Sequence, residues 1–174
     1  GVTRWAMGSV AEKVLQATNN PLLIIRDQTG EGNSLTEGDK TPEDWSALLN
    51  VANIIIPLDG SPLSEQVIPH ATALANSLGV PVTPIRVSNS PNDDAENIEY
   101  LKNVAKGVRD AGLQSNDGEI LHGNPATAII QMTETIPNSL VAMTTRGRSG
   151  IQRWVMGSVT DRVVRHSSSP ALVI

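Results

Sequence analysis

Two short segments carry the residue types that hold an anion. One is Thr144-Thr145-Arg146-Gly147-Arg148-Ser149-Gly150, which continues to Gly157-Ser158; the other is Pro57-Leu58-Asp59-Gly60-Ser61. Backbone without a Cβ can approach phosphate oxygens closely and turn several N–H groups toward them. Gly157-Ser158 opens a helical pattern, where unbonded N–H groups and the helix dipole favour negative charge. Arg146, Arg148 and Arg153 add positive charge along the same stretch. The spacing is neither a Walker P-loop nor GxGxxG. Ser158 has a second reading, because Ser158-Val-Thr-Asp161 has the form of a helix capping box. Asp59 also has two: a partner for ligand hydroxyls or a metal-bridged phosphate, or a turn contact ahead of the next helix. His70, His122 and His166 share no metal-ligand spacing. No nucleophile–base pair stands out, so no catalytic residue is assigned and no rapid turnover is expected.

The elements that must position these segments follow from hydrophobic periodicity. Asn53–Leu58 is a continuous apolar run, as in a strand buried on both faces. Ser61-Pro62 then starts a helix with a Leu63, Val67, Ala71, Leu74, Leu78 stripe, stopped at Gly79 and kinked by Pro69. Val80–Val87 reads as a second strand in which Pro84 is out of place, and Ser88–Asn97 as a polar loop. Ile98, Leu101, Ala105 and Val108 mark a second helix, Glu119–Leu121 a third strand, and Asn124-Pro125 the start of a third helix reaching about Thr135. Leu140–Thr144, a helix over Gly157–His166 and Ala171–Ile174 complete the series. Strands alternating with helices predict an α/β fold with a doubly wound parallel sheet, whose strand order the patterns leave open. In such sheets ligands lie beyond the carboxyl ends of the strands, where both glycine-containing segments fall.

The chain also repeats itself. Residues 1–25 align without gaps on residues 150–174, with identities at Gly1/Gly150, Arg4/Arg153, Trp5/Trp154, Met7/Met156, Gly8/Gly157, Ser9/Ser158, Val10/Val159, Val14/Val163 and Pro21/Pro170. A period this long is that of a domain, not of a solenoid unit. Residues 1–26 therefore read as the last helix and strand of a first domain, 27–50 as a polar linker and 51–174 as a complete domain. The start at Gly1 without an initiator Met points the same way, to a fragment. A net charge of −5 and a pI near 5.1 argue against broad binding to nucleic acid or anionic membrane. There is no Cys, no long apolar span and no signal peptide, so a cytoplasmic location is the default expectation.

The run TTRGRSGIQRWVMGSV, followed by a helix and SSSPALVI, resembles the C-terminal signature of the universal stress protein family, and PLDGS resembles its first strand and loop. The resemblance spans Val51–Ile174 and, for the last fifth of a second copy, Gly1–Arg26. It implies a five-stranded parallel sheet of order 3-2-1-4-5 and an ATP site, with Mg2+ as a possible companion. Family members that bind ATP carry G-x-x-G-x9-G-[S/T]. Here Thr144 stands at the first glycine, and Gly147, nine further residues and Gly157-Ser158 complete the pattern. The candidate nucleotide-binding residues are Pro57, Leu58, Asp59, Val87, Met143, Thr144, Arg146, Gly147, Arg148, Gly157, Ser158 and Val159. Of these, Asp59 with the backbone at Val87 and Met143 is implied around adenine and ribose; Gly147, Gly157, Ser158 and Val159 are implied around the phosphates. The resemblance further implies pairing through last strands, Leu22–Ile25 and Ala171–Ile174, within a tandem pseudo-dimer or a homodimer. The expected function is nucleotide-binding regulation in a stress response; the alternative is an interaction module that binds no nucleotide, which the Cβ of Thr144 favours.

Overall fold

A computed structural model describes residues 13–14, 20–25, 50–145 and 156–174. The strands are β1 (Leu22–Ile24), β2 (Asn53–Pro57), β3 (Val82–Ser88), β4 (Glu119–His122), β5 (Ser139–Met143) and β6 (Ala171–Val173). The helices are α1 (Pro62–Glu65), α2 (Val67–Leu78), α3 (Asp94–Asp110), α4 (Pro125–Thr135) and α5 (Ser158–His166), with a 3-10 turn over Pro91–Asp93. One sheet runs β1-β6-β5-β2-β3-β4. Its five strands from β2 onward are all parallel and lie in the expected 3-2-1-4-5 order. The sheet carries one strand more than that expectation: β1 adds to β6 antiparallel.

The core lies on both faces of the sheet, because side chains alternate along each strand. Ile54, Ile56, Leu140 and Ala142 pack with Val67, Ala71 and Ala75 of α2. Ile55, Val141 and Met143 face the other way, onto Ala126, Ile129 and Met132 of α4 and Val163 of α5. Ile54, Ile55 and Ile56 are all fully buried, which accounts for the unbroken apolar run in β2.

Three local expectations change. Pro69 does not kink one helix; the helix is broken at Gln66 into α1 and α2. Pro69 has no N–H for the carbonyl of Glu65 four residues earlier, so the interruption falls there. The polar segment 88–97 is not all loop, since α3 begins at Asp94. Ile98 accordingly leaves the apolar stripe and is exposed, while Asn97 is buried on the face shared with Leu101, Ala105 and Val108. Pro84 fits β3 because the ladder to β4 begins only at Ile85 and Glu119. The Val82 N–H points to the β4 side, onto the Gln114 carbonyl. Two residues on, the missing N–H of Pro84 falls on that side too, before the ladder starts.

Candidate functional site

The central strand β2 ends in Pro57, and the chain turns at once. Asp59 Oδ1 accepts the Ser61 N–H at 2.9 Å, and Ser61 Oγ accepts the Ser64 N–H at 3.1 Å to cap α1. The turn role foreseen for Asp59 is therefore present. On the other side of β2, the end of β5 is tied to the start of α5. Thr160 Oγ1 donates to the Thr144 carbonyl at 2.8 Å, and the Gly157 N–H donates to the Thr145 carbonyl at 2.7 Å.

The capping role considered for Ser158 is not found. Gly157 is the N-cap, no side chain caps the helix, and Ser158 is its exposed first residue. The reason is one of position: a capping hydroxyl must stand one residue before the helix, and here that residue is glycine. The first-turn N–H groups of α5 have no carbonyl within the helix to bond, and Gly157 puts no side-chain oxygen in front of them.

Between these two strand ends lies a cleft of about 610 Å3. Pro57, Leu58, Asp59, Val87, Met143, Thr144, Gly157, Ser158 and Val159 all line it. Nine of the twelve residues singled out from the sequence thus share one cavity; Arg146, Gly147 and Arg148 lie outside the described residues, as do Arg153 and both repeat tryptophans Trp5 and Trp154. The remaining wall comes from residues that sequence reasoning missed, notably Arg86, Asp93, Glu96, Asn97 and Ile129.

Gly60 is glycine because of its left-handed backbone, and it lies against the movable end of Arg86. A Cβ at Gly60 would stand 2.6 Å from Arg86 Nη1, and its φ is +80°. The Arg86 guanidinium also lies 5.0 Å from the centre of the Tyr100 ring, and the Tyr100 hydroxyl donates to Glu65 Oε1 at 2.9 Å. Strand β3, helix α3 and helix α1 are joined by this chain of contacts beside the cleft. Burial raises the Tyr100 phenol well above its ordinary value, the bond to Glu65 and its charge add to that, and Arg86 opposes it. Tyr100 is the only tyrosine, so its titration can be read directly from tyrosinate absorbance. The folded chain is expected to ionise at higher pH than the urea-unfolded chain, whose phenol titrates near about 10. A raised folded pKa stabilises the fold fully below that unfolded value, and the contribution is lost as pH climbs from there toward the folded one. Equal midpoints in the two states would contradict the half-buried Tyr100–Glu65 contact.

His122 Nε2 lies 3.3 Å from Asp94 Oδ2 at the end of β4. Among the described residues, no group of three or more His, Asp or Glu side chains is arranged to hold a metal ion. None of the described helices is long and apolar enough to cross a membrane.

Comparison with known proteins places this geometry in a lineage. The model of the universal stress protein family matches residues 50–174. A universal stress protein of Methanocaldococcus jannaschii is 31% identical over 137 residues, covering 70% of this chain and 80% of the relative. A crystal structure of a universal stress protein from Archaeoglobus fulgidus aligns with 99% of this chain and 57% of its own, with a TM-score of 0.71 and 21% identity. Another Archaeoglobus fulgidus member, solved in complex with dAMP, aligns with 71% of this chain and 97% of its own, at a TM-score of 0.58 and 19% identity. Family model, sequence relative and strand order agree, and the chain belongs to the universal stress protein family.

Proposed function

We propose that this chain is an ATP-binding regulatory protein of a cytoplasmic stress response, acting through ligand-dependent assembly and not through turnover. The observation that carries the reading is the convergence of the two glycine-containing segments on one cleft at the switch point between β2 and β5. Its volume lies in the range of small-molecule and cofactor sites, about 300–1,000 Å3. The uncapped start of α5 suits phosphate oxygens, and a carboxylate on the cleft wall, Asp59, suits ribose hydroxyls. The dAMP complex of a relative supports an adenine nucleotide as the ligand class. Magnesium fits as a companion of the phosphates, which supply the oxygen ligands it prefers. Calorimetric titration with Mg-ATP tests the proposal. Micromolar binding is expected; silence up to millimolar ATP would overturn it in favour of an interaction module without nucleotide. Phosphate release followed over hours is expected to stay slow.

The same reading includes a tandem arrangement, with residues 1–26 from one domain, 27–50 as linker and 51–174 as a second domain. Strand β1 supports it through its register. Leu22 pairs with Val173, Leu23 with Leu172 and Ile24 with Ala171. In the internal repeat, Leu22, Leu23 and Ile24 correspond to Ala171, Leu172 and Val173. Each residue therefore meets the counterpart of its partner, and Leu23 meets its own counterpart. That reciprocity is the signature of a local two-fold contact between like elements. Two copies of the chain would join in the same way by exchanging β1, since β6 is bonded on both edges.

A further inference from the structure

We infer that Asn97 reads the base of the bound nucleotide and selects for the 6-amino group of adenine; the inference rests on the nucleotide reading above. Asn97 stands one turn into α3, is only 5% exposed and lines the cleft. Its side-chain amide makes no hydrogen bond to another described residue. Among the described residues the one side-chain polar atom buried without a partner is Asp94 Oδ1, so the Asn97 amide keeps an open face, on the cleft that it lines. It stands on the apolar face of α3, with Leu101 the next residue on the stripe.

The position suits a base. Strand β2 separates β5 from β3, so the α5 start and the α3 wall stand two strand spacings apart, about 10 Å. A nucleotide with its phosphates at Gly157–Thr160 then has its base at the carboxyl end of β3, beside Val87 and Asn97. An asparagine amide offers an acceptor oxygen next to an NH2 donor. Adenine presents the complement, its 6-amino donor beside the N7 acceptor, whereas the same edge of guanine presents two acceptors.

The test compares ATP with purine riboside 5′-triphosphate, which lacks only the 6-amino group, on the full chain and on Asn97→Ala. The wild type is expected to prefer ATP about tenfold, and Asn97→Ala to lose about tenfold in ATP affinity and the preference with it. Asn97→Asp keeps an acceptor for the amino group and should retain the preference at lower affinity, which guards against misreading a folding defect. Wild-type binding of both triphosphates equally, or an unchanged preference in Asn97→Ala, would overturn the role of Asn97 alone. Failure of the wild type to bind either would overturn the nucleotide reading as well.

Discussion

Gly157→Val is expected to weaken ATP binding by about a hundredfold or more while leaving the chain folded. The backbone at Gly157 sits at φ −57° and ψ 143°, which any L-residue adopts without strain. Its N–H donates to the Thr145 carbonyl and its carbonyl accepts from the Asp161 N–H, and a side chain breaks neither bond. What valine changes is the space in front of the first turn of α5. Two methyl groups on Cβ stand where phosphate oxygens would approach the N–H groups of Ser158 and Val159. Hydrogen bonds from backbone N–H to a charged oxygen are worth about 1.5–3 kcal/mol each, so losing one or two reaches the stated factor. The fold should lose no more than about 1 kcal/mol, as for an unfavourable N-cap residue. Calorimetry and a thermal melt on the same sample check both halves. Unchanged affinity would remove the phosphates from α5; a collapse of the melting temperature would make the glycine structural.

Much of this arrangement is legible in the sequence, and the exceptions have physical causes. Apolar runs located β2 and β5, and the Ser61-Pro62 and Asn124-Pro125 pairs located the starts of α1 and α4, each with its cap bond in place. The strand order came from the family resemblance, since periodicity says what is buried and not what lies beside it. Asn97 was lost because a buried amide counts as polar when a loop is read from composition. A signal was present: Asn97, Leu101 and Ala105 recur every four residues, one helical face with an amide at its head. Arg86 was equally hidden, because its partners Gly60 and Tyr100 are far from it in sequence. The alternative for Ser158 failed by one residue. A capping box and a glycine N-cap differ only in where the helix begins, a boundary that patterns place to within a residue or two.

Gly118→Ala should be among the most damaging single-methyl additions, at about 3–4 kcal/mol, and Gly112→Ala isolates the reason. Both glycines have left-handed backbones, φ +88° and +85°. An alanine at either position carries the same conformational cost, about 1–2 kcal/mol. At Gly112 the added Cβ meets nothing within 4 Å. At Gly118 it would lie 2.7 Å from Leu101 Cβ and 3.0 Å from the Pro84 carbonyl oxygen. Neither neighbour can give way cheaply. Leu101 is 1% exposed on the core side of α3, and Pro84 belongs to β3, paired with the fully buried Ile56 of β2. The turn entering β4 must therefore lift away from both. Urea unfolding of the two variants should show Gly118→Ala losing the larger amount by about 2 kcal/mol, the steric part alone. The consequence reaches the site, because Leu101 is one turn from Asn97 and Pro84 is three residues from Val87. Gly118→Ala is thus expected to weaken nucleotide binding under conditions where the chain is still folded, and Gly112→Ala to leave it unchanged. Equal losses of stability would mean that the β4 turn shifts freely, and that the wall of the cleft formed by α3 is not held by this contact.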